Sequence, residues 1–573
     1  MKKLLKYFKN YRMDCFIAPA FKLIEACFEL CVPLIIRLIV DVGIENGDRK
    51  YIAVMSLVLV LLGLFGLMFS VTAQYFSARA AVGFSSAVKE SLFAKFVNLP
   101  FSSVDKMGSS AMLNRILSDT QQLQTGVNLT LRLFLRSPFV VLGATVMAFT
   151  VDVKTASVFV PVILLLMVVV FGIMLIGISL YKKSQGKLDE LLHATRENLM
   201  GVRVIRANRM EKREKESFDK KSDLFISRQK KSSGFSALLN PITLIIINLG
   251  IVVMLYRGGV LVDNGELTKG DVVAVYGYIS QILVELVKLA SLIITITKAL
   301  ACASRISACL DLPEEKKDGV DLVGNIESIE FDDVWFKYQP EDGYALEGIS
   351  FKVNAGQTVG IIGGTGSGKS TLVNLIPAFY TPDKGNVKIN GIDAGEYSPL
   401  SLRKRMGIVL QKAELFSGSL KENLEMKGGK LSAEEMSMVL DNAMAKDFVL
   451  QKDPSMDFMV GQMGSGLSGG QKQRLSVARG LAGKPSLVIL DDSSSALDYK
   501  TDSEMRKRIK AIDNSPILMV VSQRVTSVMN SDLILVLDNG RLVGAGSHAS
   551  LLNECSVYKE IYNSQTEGGR ENG

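Results

Sequence analysis

The stretch Gly363-Gly-Thr-Gly-Ser-Gly-Lys-Ser-Thr371 decides the fold of the second half of this chain. It follows the apolar run 358–362 and precedes the apolar-periodic run 372–376, a pattern that predicts a strand, a glycine loop and a helix. Glycines adopt positive φ at little cost and leave backbone N–H groups free to point at phosphates. The helix that begins here adds the positive end of its dipole. The stretch therefore predicts a nucleoside triphosphate site in an α/β domain.

Two side chains of this loop carry specific chemistry. Lys369 supplies a positive charge to the phosphates, and the Ser370 hydroxyl supplies a hard oxygen ligand for Mg²⁺. We expect the loop to bind ATP through Gly363, Gly364, Thr365, Gly366, Ser367, Gly368, Lys369, Ser370 and Thr371.

Composition divides the chain in two. Of its 573 residues 48% are hydrophobic, and long apolar runs are concentrated in the first 300 residues. The length predicts more than one domain. The net charge of +8 derives largely from two basic stretches flanked by apolar runs, so membrane topology explains it better than nucleic-acid binding does. The six cysteines have no metal-site spacing and are expected to be reduced thiols.

Six apolar runs predict six membrane-spanning helices. Each run is near or above the ~20 residues that a helix needs to cross the hydrocarbon core of a bilayer. The predicted spans are 15–43, 52–80, 130–152, 156–181, 235–262 and 271–300.

The connections between these runs predict the orientation of the chain. The long connections 81–129 and 182–234 are rich in Lys and Arg, whereas the short connections are not. The positive-inside rule therefore places the N-terminus, both long connections and the C-terminal domain in the cytoplasm, and the protein in the cell membrane with lipid as its neighbour. Four ionisable residues lie within the spans. It is left open whether they contact substrate, or instead face the cytoplasmic aqueous cavity or pair with each other. They are Glu25, Glu29, Glu285 and Lys288.

These patterns predict a multi-domain membrane protein, with an all-α six-helix transmembrane domain followed by an α/β P-loop nucleotide-binding domain. We expect the transmembrane domain in residues 1–310 and a charged linker in 311–325. The nucleotide-binding domain is expected in 326–565, and the polar, glycine-rich tail 566–573 is expected to be disordered.

A pair of carboxylates follows a second apolar strand, Leu487–Leu490. Four consecutive apolar residues are typical of a central parallel strand. Asp491, at its end, is expected to hold Mg²⁺, and Asp492 is expected to lie beside the γ-phosphate.

The run Leu467-Ser-Gly-Gly-Gln471, followed by Lys472-Gln-Arg474, resembles the signature of ABC (ATP-binding cassette) transporters. The resemblance extends over the whole chain, which is similar to a bacterial exporter-type half-transporter of the multidrug or lipid exporter kind. It implies that Leu467, Ser468, Gly469, Gly470 and Gln471 close on the ATP that is held by the opposite subunit of a dimer.

The resemblance also assigns the remaining motifs. Tyr338 matches the aromatic residue that stacks on adenine, and Gln411 matches the glutamine that reaches Mg²⁺ and the attacking water. Ser495 and Asp498 match the loop that contacts the other subunit. With Ser370 and Asp491, Gln411 completes the expected metal ligands.

Two residues depart from the family pattern. Where the family has Glu after the aspartate, this chain has Asp492, whose side chain is one methylene shorter and reaches roughly 1.5 Å less far. This shortfall matters because a base must lie within hydrogen-bond distance of the proton that it takes. Where the family has a switch histidine, this chain has Gln523, which still donates a hydrogen bond but does not become cationic. With Lys369, these two are the expected catalytic residues, and they predict slow hydrolysis at the chain's own site.

The resemblance and its departures together predict an ABC-type ATPase that exports amphiphilic or hydrophobic substrates, namely drugs, lipids or peptides. We expect it to be the degenerate-site half of a heterodimer whose other half-transporter has Glu and His at the altered positions. The alternatives are a homodimeric exporter or flippase with two slow sites, and an ATP-regulated membrane sensor. No nucleic-acid partner is expected.

Overall fold

The computed structural model describes residues 3–427, 429–493, 495–512 and 515–567 of the chain. Contacts divide the chain into two compact units, one made of Met1–Val97 and Ser109–Leu312 and the other of Asn98–Gly108 and Pro313–Gly573. The segment Asn98–Gly108 lies within the predicted transmembrane domain, but it packs with the second unit. The described cysteines are all free thiols, as the sequence predicted.

The described part of residues 3–312 is helical. A 3₁₀ helix, Leu4–Tyr11, precedes the first α-helix, and π-helical turns occupy Ile39–Ile44 and Arg115–Asp119. The α-helices are α1 (Arg12–Leu38), α2 (Arg49–Val97), α3 (Phe101–Met107), α4 (Ser109–Asn114), α5 (Thr120–Leu133), α6 (Arg136–Val151), α7 (Val153–Ala156), α8 (Phe159–Met200), α9 (Val202–Ala207), α10 (Glu211–Ala237), α11 (Leu239–Asp263) and α12 (Lys269–Leu310).

Five helical stretches of the described residues are long and apolar enough to cross a membrane. They are Arg49–Val97, Ser109–Val151, Val153–Met200, Glu211–Asp263 and Lys269–Leu310. The helix of the first predicted span, α1, is not among them, because Lys22, Glu25 and Glu29 interrupt its apolar run. The helical transmembrane domain is confirmed, whereas the count of six spans stays a prediction.

The charged residues of these helices pair with each other. The Arg136 guanidinium of α6 lies 2.5 Å from the Glu29 carboxylate of α1 and 2.6 Å from that of Glu285 on α12. Lys288 lies 2.8 Å from Glu285, and Lys22 lies 2.5 Å from Glu25. Of the four residues named from the sequence, Glu285 and Lys288 pair with each other, and Glu25 and Glu29 pair with further bases. Arg136 and Lys22, which the sequence analysis did not single out, are the bases that complete these pairs.

The second unit contains two main sheets. The strands are β1 (Ser328–Phe336), β2 (Leu346–Asn354), β3 (Thr358–Gly363), β4 (Lys384–Ile389), β5 (Ile392–Asp393), β6 (Met406–Val409), β7 (Gly418–Ser419), β8 (Met459–Val460), β9 (Leu487–Asp491), β10 (Ile517–Val521), β11 (Leu533–Asp538) and β12 (Arg541–Gly546). A six-stranded sheet has the order β12-β11-β3-β10-β9-β6, and an antiparallel four-stranded sheet has the order β2-β1-β4-β5.

Ten further α-helices lie in the described part of the second unit, besides 3₁₀ helices at Ala394–Glu396 and Gln462–Gly464. They are α13 (Lys369–Leu375), α14 (Pro399–Lys404), α15 (Leu420–Glu425), α16 (Ala433–Asn442), α17 (Lys446–Lys452), α18 (Gly469–Leu481), α19 (Tyr499–Lys510), α20 (Val525–Val528), α21 (His548–Glu554) and α22 (Ser556–Glu567). Strands β3, β9 and β10 are buried along their whole length, as their continuous apolar sequences require in a parallel sheet covered on both faces.

Parts of the predicted linker and tail have defined contacts. Glu315 forms two hydrogen bonds with the Arg403 guanidinium, at 2.6 and 3.0 Å, and Val320 bridges to Tyr397. The predicted tail begins at Thr566, but α22 continues to Glu567, and the rest of the tail lies outside the described residues.

The short helix α3 is held by aromatic contacts within the second unit. The Phe101 ring stacks on Phe379 with ring centroids 4.1 Å apart. The Tyr380 hydroxyl donates a hydrogen bond to the Asp105 carboxylate. These contacts explain why Asn98–Gly108 groups with the second unit.

Candidate functional site

Three parallel neighbours in the six-stranded sheet end at one edge. Strand β10 pairs with β3 on one side and with β9 on the other, and Val521 is opposite both Ile361 and Asp491. The loops that follow the carboxyl ends of parallel strands meet there, which is where open α/β sheets bind ligands. The edge therefore brings the glycine loop, the acidic pair and the segment that contains Gln523 together.

The glycine loop has the backbone that its sequence predicts. Gly366 and Gly368 have φ of 81° and 97°, in the region that side chains disfavour. Gly368 immediately precedes α13, and a Cβ there would lie 2.8 Å from the Ala345 carbonyl oxygen. Any other residue at position 368 would therefore disturb the start of the helix.

The Lys369 ammonium folds back over this loop. Its Nζ donates hydrogen bonds to the carbonyl oxygens of Gly363 at 2.9 Å and Gly364 at 2.5 Å. Burial lowers the pKa of Lys369, and the nearby Asp492 and Asp491 carboxylates oppose that effect. The Lys369 Nζ also donates to the Ser367 hydroxyl at 3.3 Å. A cation that is held by neutral oxygens can exchange them for phosphate oxygens, which bear negative charge.

Asp491 and Ser370 form the oxygen-rich part of the site. The Ser370 hydroxyl donates to Asp491 Oδ1 at 3.0 Å. Burial raises the pKa of Asp491, the hydrogen bond from Ser370 lowers it, and the neighbouring Asp492 raises it further. Hydroxyl and carboxylate oxygens are the ligands that Mg²⁺ prefers, so this donor set fits the expected metal.

Asp492 lies beside Gln411. The Gln411 Nε2 atom lies 3.4 Å from Asp492 Oδ2, at the long end of hydrogen-bond distance. The Asp492 backbone has a φ of 45°, and its N–H donates to the Val521 carbonyl oxygen at 3.0 Å. The strained backbone of Asp492 and its hydrogen bond to β10 together fix the position from which the short carboxylate side chain extends.

A cavity of about 380 Å³ at this edge of the sheet is lined by most of the predicted site residues. Another cavity of the second unit, of about 390 Å³, is not lined by them. We call the lining of the cavity at the sheet edge the ATP-holding face. It comprises Tyr338, Ala345, Thr365, Gly366, Gly368, Lys369, Ser370, Thr371, Gln411, Asp491, Asp492, Val521, Ser522 and Gln523. The predicted loop residues Gly363, Gly364 and Ser367 contact Lys369 from beneath.

Tyr338 stands at the outer end of this face. Its hydroxyl lies 3.0 Å from Thr371 Oγ1, and its ring packs edge-on against Tyr380 with centroids 5.3 Å apart. The residue remains 46% exposed. An aromatic ring braced at its edge and open on a face is suited to stacking on a base.

Among the described residues that line this cavity, none belongs to the signature. The signature residues are Leu467, Ser468, Gly469, Gly470 and Gln471. We call this run the signature face. Ser468 Oγ accepts from the Gln471 N–H at 3.3 Å, and Gln471 Oε1 accepts from the Ser468 N–H at 3.0 Å, which caps α18 reciprocally. A capped helix N-terminus with exposed glycine is a ready anion site.

The two residues expected in the intersubunit loop have partners inside the second unit. Asp498 caps α19 by accepting from the Thr501 N–H at 3.0 Å, and Ser495 Oγ donates to the Asp492 carbonyl oxygen at 2.9 Å. The Thr501 hydrogen bond lowers the pKa of Asp498. Ser495 thus links this loop to the acidic pair.

One residue of the site region was missed from the sequence. Gln565, on α22, hydrogen-bonds the backbone on both sides of Arg524, directly after Gln523. No local pattern marks it, because a polar residue near the end of a helix is ordinary in a sequence.

A P loop at the end of a buried parallel strand, on a chain whose first unit is a set of membrane-length helices, defines a nucleotide-driven membrane transporter. Comparison with known proteins agrees. The family described as the ABC transporter transmembrane region matches residues 15–286, and the family described as ABC transporter matches residues 346–495.

The match extends over whole chains. An uncharacterised ABC transporter ATP-binding protein of Bacillus subtilis, YfiB, is 31% identical, over 100% of this chain and 99% of its own. The ATP-dependent lipid A-core flippase of Vibrio vulnificus is 27% identical over 98% and 97% of the two chains. A solved structure of a bacterial Atm1-family ABC exporter with ATP bound is 26% identical, with a TM-score of 0.82 over 97% of this chain and 98% of that one. The chain belongs to the ABC transporter family and is an ATPase coupled to transport.

Proposed function

We propose that this chain is the slow-site half of a heterodimeric ABC exporter. The observation that carries the proposal is the ATP-holding face, where a complete P loop lies in one cavity with Asp492 and Gln523. The loop supplies everything that ATP binding needs. The two altered residues weaken the base and the switch that hydrolysis needs.

The residues of the ATP-holding face have separate roles. Tyr338 stacks on adenine, Lys369 contacts the phosphates, and Ser370, Asp491 and Gln411 hold Mg²⁺. When bound, Mg²⁺ neutralises charge on the phosphate oxygens. Asp492 orients the attacking water with a side chain that is one methylene short, and Gln523 donates an amide hydrogen bond towards the γ-phosphate. ATP is therefore held and slowly hydrolysed.

The partner is a second half-transporter with Glu and His at the altered positions. Its acidic pair and the signature face of this chain together enclose the rapidly hydrolysed ATP. Ser495 and Asp498 lie at the subunit contact. Binding of ATP between the two nucleotide-binding domains favours their closed pairing, and hydrolysis at the fast site releases it.

The exported substrate is amphiphilic or hydrophobic and is taken from the cytoplasmic side of the cell membrane. Glu25, Glu29 and Glu285 each pair with a base, so the protein supplies their counter-charges. This argues against a substrate chosen for its positive charge at these carboxylates. Export of hydrophobic compounds is supported by the Vibrio vulnificus relative, whose name gives lipid A-core as its cargo.

ATP hydrolysis by the purified full-length chain, alone and with its co-expressed partner, tests the proposal. We expect little hydrolysis by the chain alone, rapid hydrolysis by the pair, and less than a twofold change in the pair when Asp492→Asn is introduced. A typical transporter rate for the chain alone, abolished by Asp492→Asn, would contradict the proposal.

A homodimeric flippase is the second candidate, because the lipid A-core flippase matches nearly the whole chain. The mass of the assembly, purified through a tag on this chain, separates the two. One chain type that transports lipid in vesicles supports the homodimer, and two chain types in equal amounts support the heterodimer.

A further inference from the structure

The C-terminal helix α22 reaches the segment that contains Gln523. We propose that Gln565 is a positioning residue for ATP hydrolysis: its side-chain amide fixes the backbone from which Gln523 points into the ATP cavity. The inference rests on the role proposed above for Gln523. It adds a second residue, distant in sequence, through which that role depends on the end of the chain.

The contact consists of two hydrogen bonds from one amide group. Gln565 Nε2 donates to the Gln523 carbonyl oxygen at 2.8 Å, and Gln565 Oε1 accepts from the Val525 N–H at 2.9 Å. Both partners belong to the backbone on either side of Arg524. Because both bonds go to backbone atoms, the amide fixes the path of the main chain and does not depend on the side chains of this segment. A neighbouring β-strand holds a chain in the same way.

The segment needs such support because it begins a helix. Val525 is the first residue of α20, and the first N–H groups of a helix have no partner within it. The residue before it, Arg524, makes no capping hydrogen bond with its side chain. Ser522 Oγ accepts a hydrogen bond from the Arg524 N–H at 3.0 Å, and Gln565 Oε1 accepts one from the Val525 N–H. Between them the two side chains hold three consecutive residues.

The helix that carries Gln565 is anchored in the core. Tyr558 is fully buried, and its hydroxyl lies 2.7 Å from His548 Nδ1. Ile561 and Tyr562 pack on the same hydrophobic core. With Gln565 these residues follow the spacing of one helix face, so Gln565 extends from a rigid support. The Gln565 side chain itself is exposed, and its two hydrogen bonds hold it against the segment 523–525.

The consequence concerns catalysis more than ATP affinity. Adenine and phosphate contacts come from Tyr338, Lys369 and the loop, none of which Gln565 contacts among the described hydrogen bonds. Loss of the amide would let the segment 523–525 move, and Gln523 would then be misplaced for part of the time. We expect Gln565→Ala to lower kcat for ATP about three- to tenfold, with KM unchanged, the loss typical of one or two hydrogen bonds.

The test is a double-mutant cycle in the full-length assembly purified from membranes through this chain. The variants are Gln523→Ala, Gln565→Ala and both together, with single-turnover hydrolysis at this chain's own site as the readout. If Gln565 acts through Gln523, the double variant hydrolyses ATP as slowly as Gln523→Ala alone. Losses that multiply would show a general structural effect and would overturn the inference.

Three further variants sharpen the result. Asn563→Ala, on the same helix and exposed, is the matched control and should leave the rate unchanged. Gln565→Glu keeps the acceptor for Val525 but places a second acceptor against the Gln523 carbonyl, so it should not restore the rate. Gln565→Asn carries the same amide on a shorter stem and should restore it in part.

A readout independent of turnover keeps the inference testable if a variant is poorly active. Hydrogen exchange of the Val525 amide should be faster in Gln565→Ala, while strand β10 stays as protected as before. An unchanged Val525 amide would overturn the inference. A Gln523→Ala variant with full activity would overturn both the inference and the proposed role of Gln523. Slow Gln523→Ala together with fast Gln565→Ala would overturn the inference alone.

Discussion

The ATP-holding face and the signature face belong to one unit, and in the proposed function they serve two different ATP molecules. The ATP-holding face departs from the family pattern at Asp492 and Gln523, whereas the signature face departs nowhere. In the structure, the first face lines a single cavity and the second lies outside it. Under the proposed function, the changes thus fall where they affect the ATP held by this chain, and they spare the residues assigned to the partner's ATP.

The two faces also differ in what their chemistry requires. The signature face binds an anion through backbone N–H groups and a helix dipole, and the Ser468–Gln471 capping box holds these in place. The ATP-holding face must in addition aim a base at a water molecule, which depends on the reach of one side chain. We therefore expect a one-methylene change to alter hydrolysis on one face while binding on both faces is retained.

The largest expected effect comes from a charge on the signature face. Ser468→Asp keeps a good capping residue for α18 but adds a carboxylate where the partner's ATP binds. Because a negative charge there opposes the phosphates, we expect ATP hydrolysis by the assembled transporter to fall on the order of a hundredfold. Steady-state ATPase activity in vesicles measures this.

Ser468→Asn is the matched control, because it also caps a helix but is neutral. We expect it to retain most of the activity and both variants to have the thermal midpoint of the parent. Equal losses in the two variants would indicate that the hydroxyl or the size of the side chain, and not the charge, matters at Ser468.

The second effect is a gain on the ATP-holding face. Asp492→Glu restores the missing methylene, so the carboxylate reaches its water, and we expect single-turnover hydrolysis at this chain's own site to rise about tenfold. Gln523→His added to it should raise the rate further. Measurement requires protein in excess of ATP, with the partner's site inactivated by Glu→Gln.

No gain from Asp492→Glu would mean that reach does not limit this site. The Asp492 backbone, with its φ of 45°, would then be the feature to question, since a longer side chain on a misdirected backbone gains nothing.

Much of this architecture follows from local sequence. The glycine loop, the Leu487–Asp491 strand and the signature predicted their elements because glycine at positive φ, continuous apolar residues and helix capping act over a few neighbours. Helical membrane domains follow likewise from long apolar runs. What the sequence did not reveal are pairings across the fold, such as Arg136 with Glu29 and Glu285, or Gln565 with the segment after β10.

The first predicted span, α1, shows the same limit of local sequence. The prediction of a first span counted apolar residues, but Lys22, Glu25 and Glu29 make the helix too polar by composition alone. Lys22 and Glu25 pair with each other along α1, whereas Glu29 is paired with Arg136 of α6, a partner that the sequence of α1 by itself does not show.

A smaller effect concerns acid and Mg²⁺ on the ATP-holding face. The pKa of Asp491 is raised, so on acidification this carboxyl gains a proton at a higher pH than an ordinary aspartate does. Protonation does not unfold the site, because the folded state binds that proton more tightly than the unfolded chain. It competes with the metal instead, and Mg²⁺ affinity should fall by up to about tenfold for each pH unit below the raised pKa.

Mg²⁺ titration of ATP binding to the full-length chain at several pH values measures this dependence. Asp491→Asn should bind Mg²⁺ weakly and with little pH dependence. A variant with the same pH profile as the parent would show that another group binds the proton.

The smallest effect tests whether α3 senses the ATP-holding face. Tyr338 packs edge-on against Tyr380, whose hydroxyl donates to Asp105 on α3. Tyr380→Phe removes only that hydroxyl. At this exposed position a hydrogen bond contributes about 1 kcal/mol, so local opening of residues 98–108 should increase about fivefold. Hydrogen exchange of these residues measures it.

The comparison of the two faces predicts which ligand contact changes this exchange. ATP held by the chain's own P loop orders Tyr338 and should slow exchange in α3, and Tyr380→Phe should reduce that response while leaving ATP affinity unchanged. Ser468→Asp, which acts on the other ATP, should not reduce it. If Ser468→Asp removes the response instead, α3 is controlled by closure of the dimer and not by the nucleotide beneath Tyr338.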